Sequence, residues 1–351
     1  MNLKITKKKC NIASDKEIRR ISDKLNIDVR LVELLFIRGV NTEEAIHKFL
    51  TADVKNLNDP FLMIGMKEAV NRIKIAIDNH EKIIVFGDYD ADGVCSSAIL
   101  ALYFKSVGVD VIVHIPDRIK DGYGLSVEGV ESLIEEHCPD LILTCDCGIS
   151  GVNEVEYIKD LGVDVIVTDH HEPGKVIPDC IVVNPKQEGD PYPDKYLCGA
   201  GVALKLVQAL CEDDLYKEFL DLAAVATIAD LVPLFGENRL IVQLGLKAIS
   251  SGECNLGLKL LLSSQNFGAN VSSSDIAYKI APRINAAGRM GDAYRAFEML
   301  TSSDVTRIKN IITEIEAYNA RRKEVCDEIY AEAEIDIQSE DLTFDRAIIL
   351  T

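Results

Sequence analysis

Five short apolar runs, at residues 83–86, 109–115, 141–144, 165–168 and 181–183, constrain this chain more than any other feature. Apart from Asp110, His114 and two closing threonines they are apolar at successive positions instead of alternating, so strands made from them are buried on both faces. Segments of helical length separate most of them. Buried strands spaced by helices predict an α/β fold, a parallel β-sheet flanked by helices on both faces.

The polar residues that end three of these runs point to chemistry. Residues 82–87 lead into Asp88-Tyr89-Asp90-Ala91-Asp92-Gly93, residues 140–145 into Asp146, and residues 164–168 into Asp169-His170-His171. In an open α/β sheet, ligands bind in the crevice outside the carboxyl ends of the strands, so these clusters should converge. Gathered carboxylates repel one another unless cations neutralise them. Hard oxygen ligands with one imidazole suit Mn2+ or Mg2+. Two such ions about 3.5–4 Å apart would serve phosphodiester hydrolysis. Taken alone, Asp146 also reads as a solvated strand-end residue, and His170-His171 as an ordinary loop pair.

The Asp-x-Asp-x-Asp-Gly pattern also opens a calcium loop of the EF-hand type. That loop needs a bidentate Glu at its twelfth position, and here the position holds Ile99. A strand, not a helix, is also predicted before it. Asp230, in the apolar stretch 223–233, reads either as a helix-end residue ahead of Pro233 or as a further metal ligand, since burying it unpaired would be costly.

The 351 residues predict more than one domain. Residues 1–80 read as a helical N-terminal region, with Asp15 and Ser22 as candidate caps and Thr42 opening a helix that ends near Leu50. Residues 81–300 form the expected catalytic domain, in which 202–265 read as mostly helical and 263–274 as a loop. Residues 301–340 form a long connecting helix carrying Ile308, Ile311, Ile312 and Ile315 at helical spacing. Residues 341–351 read as the start of a further, truncated domain. No apolar run approaches the roughly 20 residues of a membrane span, and no secretory signal is expected after the lysine-rich start. The 10 cysteines, Cys95, Cys145, Cys147, Cys198 and Cys211 among them, lie scattered in apolar segments, which fits reduced thiols and a cytoplasmic location. The net charge of −19 speaks against binding nucleic acid unless the basic residues are gathered locally. Arg283, Arg289 and Arg295, then Arg321-Arg322-Lys323, are the candidates for such a track.

With the aspartate loop, the Asp169-His170-His171 triplet, the segment 226–233 and the segment 281–290 (Ala-Pro-Arg-Ile-Asn-Ala-Ala-Gly-Arg-Met), the chain resembles the DHH phosphoesterase superfamily. More narrowly it is similar to the RecJ-like exonucleases, from about Arg38 onward. The resemblance implies a two-metal 5′→3′ exonuclease of single-stranded DNA in repair and recombination. It implies Asp90, Asp92, Asp146, His170 and Asp230 as ligands of two Mn2+ or Mg2+ ions. His171 would meet the scissile phosphate, and Asp88 would either support the ligands or serve as an occasional ligand itself. Arg118 and Tyr123 would meet the 5′ end, the tyrosine by stacking on a base, and Arg283, Asn285 and Arg289 the DNA backbone. A single-strand-binding protein and a repair helicase would be its partners. Relatives in this branch continue into a second cleft-forming domain. Two other readings stay open: a DHH phosphoesterase of short oligoribonucleotides or cyclic dinucleotides, and a strand-binding relative without catalysis.

Overall fold

The computed structural model describes residues 14–118, 122, 124–265, 267 and 270–339. Three short helices come first: α1 (Asp15–Leu25), α2 (Val29–Ile37) and α3 (Glu43–Leu50). Thr42 caps α3 as expected, its side chain accepting from the Ala45 N–H. The caps of α1 and α2 are Ser14 and Asp28. Ser22 instead lies inside α1, where its hydroxyl donates to Ile27 O at 2.6 Å. These helices share a core of their own, built from Ile18, Ile21, Val32, Leu35, Phe36, Val40 and Ile46. The next helix, α4 (Met66–Asp78), belongs elsewhere: its buried Met66, Ala69, Val70, Ile73 and Ala76 join the core of the sheet.

The sheet follows. Its strands are β1 (Ile83–Phe86), β2 (Ile112–His114), β3 (Leu141–Cys145), β4 (Asp164–Thr168) and β5 (Ile181–Val183). All are parallel, in the order β2-β1-β3-β4-β5. The expected run at 109–115 shrinks to three paired residues, because β2 is an edge strand and only partly buried. Alternate strand residues serve two cores. Ile84, Phe86, Ile142, Val165 and Val167 face α6 (Val127–His137) and α7 (Val152–Asp160). Ile83, Val85, Leu143, Cys145 and Ile166 face the larger layer. That layer contains α5 (Ala91–Ser106), α8 (Gly199–Leu210) and α9 (Leu220–Ala229). Both α5 and α9 are buried nearly all round, which explains why their sequences carry almost no polar face.

Strand order reverses between β1 and β3, so the loops leaving these neighbours part to opposite sides and open a crevice at their carboxyl ends. Further out lie α10 (Gly236–Ser251), α11 (Leu256–Ser264), α12 (Ser273–Asp275) and a π-helical turn at Ile276–Ile280. Then come α13 (Ala281–Met290), α14 (Ala293–Thr301) and α15 (Val305–Ser339). Ile308, Ile311, Ile312 and Ile315 of α15 are buried in the sheet's larger core, so the near end of the long helix is part of this body.

One ion pair ties α8 to α10 beneath this layer. Lys205 and Glu237 both have fully buried side chains, with Nζ 2.9 Å from Oε1. Lys205 Nζ also donates to Asn58 O at 2.5 Å, while Glu237 accepts from Asn58 N, Asn58 Nδ2 and the Tyr192 hydroxyl. Removing one partner strands a buried charge, so Glu237→Ala should cost about 3–5 kcal/mol of stability. Replacing the pair together, Lys205→Met with Glu237→Leu, should recover only part of that loss, because Asn58 and the Tyr192 hydroxyl lose their partners. Urea unfolding of the three variants measures both.

Candidate metal centre

The loop after β1 supplies the first candidate ligands because α5 begins immediately behind it. Asp90 is the cap of α5, and its Oδ1 accepts from the Asp92 and Gly93 N–H groups at 2.8 and 3.1 Å. Gly93 allows the tight turn: a Cβ there would overlap the Asp88 backbone. Asp92 is oriented from a distant element. Its two oxygens accept from Gly199 N at 2.6 Å and Ala200 N at 2.7 Å, at the start of α8. The N-terminus of a helix favours negative charge, so α8 holds Asp92 in place.

Asp146 leaves β3 in the left-handed region, at φ +62°, an uncommon conformation for a non-glycine residue. Such a conformation persists only where the surroundings impose it. Gly199 lies so close that a Cβ there would overlap the Asp146 carboxylate. After β4, Asp169 anchors the histidines. Its Oδ1 accepts from His170 N (2.7 Å) and His171 N (3.1 Å) and sits 2.7 Å from His171 Nδ1, while Oδ2 accepts from Ile149 N at 3.0 Å. Asp230 enters from the carboxyl end of α9, as the cap residue that follows Ala229.

These elements converge. His170 Nε2 lies 3.1 Å from Asp146 Oδ1, 3.6 Å from Asp92 Oδ2 and 3.8 Å from Asp230 Oδ2. Asp88, Asp90 and Asp146 bring ligand atoms within 4.8 Å of one another, as do Asp92, His170 and Asp230. Among the described residues, Asp88 Oδ1 and Asp146 Oδ1 are buried and accept no hydrogen bond, and the imidazole Nε2 of His170 lies 3.1 Å from the latter. Buried carboxylate oxygens without donors are costly and need a cation. The donor set of aspartates and one imidazole fits Mn2+ or Mg2+.

Electrostatics give the same reading. Burial, then repulsion from Asp90, pushes the Asp88 carboxyl up to about 7. Burial, then Asp92 and Asp90, does the same to Asp230, also to about 7. Asp146 is driven well above the carboxylate range by burial and then by Asp92. For His171 the bond to Asp169 outweighs burial, so its pKa rises and the imidazolium is favoured.

Known proteins resemble this chain over most of its length. The DHH family, N-terminal domain, matches residues 82–227. The single-stranded-DNA-specific exonuclease RecJ of Bacillus subtilis is 43% identical over 320 residues, covering 90% of this chain and 40% of that protein. A crystal structure of exonuclease RecJ bound to manganese is 38% identical, with a TM-score of 0.72, over 79% of this chain and 70% of that one. The chain belongs to the DHH family, among the RecJ-like proteins. The Thermus thermophilus RecJ structure in complex with Mn2+ is 34% identical, with a TM-score of 0.79, over 92% of this chain and 46% of that one. This RecJ-like chain thus spans less than half the length of its Bacillus and Thermus relatives.

The residues expected to meet DNA fall less uniformly. Arg118 is exposed, its guanidinium 5.2 Å from the centre of the Tyr89 ring beside the metal loop. Arg289 is exposed on α13. Tyr123 and residues 341–351 lie outside the described residues. Arg283 is drawn into the protein, its Nε 2.6 Å from Glu316 Oε1 and its Nη1 donating to Lys279 O at 2.6 Å. Asn285 accepts the Ala91 N–H. Half of the expected basic track is paired with acids: besides Arg283, Arg295 pairs with Glu298 and Glu314, and Arg321 with Glu324 and Glu328. Spacing in sequence brought these arginines together but did not show the acids facing them from the same and neighbouring helices.

Two elements of the centre escaped the sequence reading. The Cys198-Gly199-Ala200-Gly201 start of α8, which grips Asp92, was legible only as glycines ahead of an apolar helix. Asp169 was seen as part of a triplet but not as its anchor.

The carboxylates raised from 3.8 to about 7 bind more protons folded than unfolded, so metal-free stability should fall as pH rises across that interval. Saturating Mn2+ should flatten the decline. Asp146→Asn should stabilise the metal-free chain at neutral pH and remove most of the Mn2+-dependent rise in Tm. Thermal melts at several pH values, with chelator or Mn2+, test all three.

Proposed function

We propose that this chain is the metal-binding catalytic part of a 5′→3′ exonuclease of single-stranded DNA. The observation that carries this reading is the convergence of Asp90, Asp92, Asp146, His170 and Asp230, from four separate elements, around buried carboxylate oxygens that have no donors. Relatives 34–43% identical are named single-stranded-DNA-specific exonucleases, which supports the substrate class. Two Mn2+ or Mg2+ ions held there would supply Lewis-acid polarisation of a phosphate and a lowered pKa for water.

The chain's own residues do the rest. Asp88, whose Oδ1 has no donor, faces the same cation site beside Asp90 and Asp146. His171, with Nδ1 engaged by Asp169, donates a hydrogen bond from Nε2, the ring nitrogen outside that contact, to a non-bridging oxygen of the scissile phosphate. Arg118 takes a phosphate near the 5′ end, and Tyr123 stacks on the adjacent base. Arg289 contacts the backbone further along, whereas Arg283 and Asn285 act through the protein. Acidic surroundings exclude strands that do not enter this cleft.

The proposed organisation is a helical N-terminal body built on α1–α3, a catalytic body from α4 to residue 300, the connecting helix from 301, and a further domain from 341. The separate core of α1–α3 favours placing the first boundary ahead of α4. A cytoplasmic setting, with a single-strand-binding protein and a repair helicase as partners, completes the proposal. No described helix is long and apolar enough to cross a membrane.

A timed digest of 5′- and 3′-labelled single strands with Mn2+, beside duplex, a dinucleotide and a cyclic dinucleotide, tests the reading. Single strands should shorten from the 5′ end, and Asp146→Ala should abolish cleavage while the chain stays folded. Preferential hydrolysis of the small substrates would replace the proposal with an oligonucleotide phosphoesterase.

A further inference from the structure

The middle of α13 faces the metal loop and not the solvent. Asn285 Oδ1 accepts the Ala91 N–H at 2.7 Å. A backbone N–H can only donate, so the amide oxygen must be the atom turned toward it. Ala91 is the first residue of α5 and is almost fully buried, and its N–H is one that the helix cannot satisfy internally. Asp90 Oδ1 is already occupied by Asp92 N and Gly93 N.

Contacts around Asn285 keep α13 against this loop. A Cβ on Gly288 would overlap Tyr89 O, so the two backbones touch. Arg283 is anchored to Glu316 of α15, and Gly291 sits against the Tyr318 ring of the same helix. The loop from Asp88 to Asp92 is therefore clamped between α13 and the N-terminus of α8.

We infer that Asn285 is a positioning residue of the metal centre: through its acceptor oxygen it occupies the Ala91 N–H and leaves the Asp88 and Asp90 carboxylates facing the cation site. Without it, the carboxylates of the loop are the acceptors at hand for that buried N–H, and turning one back removes an oxygen from the centre. The inference rests on the metal-centre reading above. It differs from a phosphate contact in a way chemistry can separate, because positioning uses the amide oxygen and a phosphate needs the amide NH2.

Wild type, Asn285→Ala, Asn285→Asp and Arg289→Ala serve as the test, each checked for folding by circular dichroism. Amide hydrogen exchange of the peptide containing Ala91 is followed without metal. Mn2+ affinity is measured by calorimetry without DNA, and affinity for oligo-dT by fluorescence anisotropy in Ca2+. Asn285→Ala should speed exchange at Ala91 and weaken Mn2+ binding about 10-fold, the lower end of the loss seen for partners that orient metal ligands. Its oligo-dT affinity should stay within about twofold of wild type, a change worth less than a third of a tenfold step. Asn285→Asp keeps the acceptor and lacks the NH2, so it should restore both exchange protection and Mn2+ affinity. Arg289→Ala should leave Mn2+ binding alone. Unchanged exchange and Mn2+ affinity in Asn285→Ala, or failure of Asn285→Asp to restore protection, overturns the inference alone. A wild-type chain that binds no Mn2+ overturns the metal-centre reading and the inference with it.

Discussion

Mutual repulsion of buried carboxylates at one edge of a parallel sheet is the constraint on which this structure depends. Asp88, Asp92 and Asp146 are buried there, with the half-buried Asp90 and Asp230 beside them. Left to themselves they would protonate or spread apart. The fold answers with fixed dipoles. The start of α8 holds Asp92, that of α5 holds Asp90, and Asp169 spends its own charge on the two histidines. What remains unsatisfied is oxygen directed at a common point, which is how a protein stores affinity for a divalent cation.

This arrangement explains features that look wasteful elsewhere. Asp146 adopts a left-handed backbone, and Gly93, Gly199 and Gly288 each lie where a side chain would collide with the loop or its acidic residues. Local strain and lost side-chain packing are tolerated because two thoroughly buried helices, α5 and α9, and the Lys205–Glu237 pair lock the surroundings. The long helix α15 joins that support through Arg283–Glu316, so a helix far along the chain bears on the geometry of its first acidic loop.

Much of this was legible beforehand. Five apolar runs at buried-strand spacing implied a parallel sheet, and β1 and β5 begin and end where the pattern placed them. Three strand ends carrying acids or imidazoles implied convergence, since parallel strands deliver their carboxyl ends to one edge. Other expectations failed where a neighbouring side chain decided the outcome. Ser22 has the composition of a cap, yet it sits mid-helix because Ser14 had already started α1. The arginines of α13 to α15 suggested a basic track until Glu298, Glu314, Glu316 and Glu324 were seen opposite them.

By itself the sequence determined the strands, their common direction and which acids and imidazoles gather at one edge, because periodicity and strand-end position are local properties of the chain. Asp90 and the two histidines are held by bonds one to three residues long, whereas tertiary structure alone decided the distant groups that orient the rest. The grip of Gly199 and Ala200 on Asp92 spans 107 and 108 residues, and that of Asn285 on Ala91 spans 194. Bonds over such separations depend on how α8 and α13 pack against α5, which no local pattern encodes.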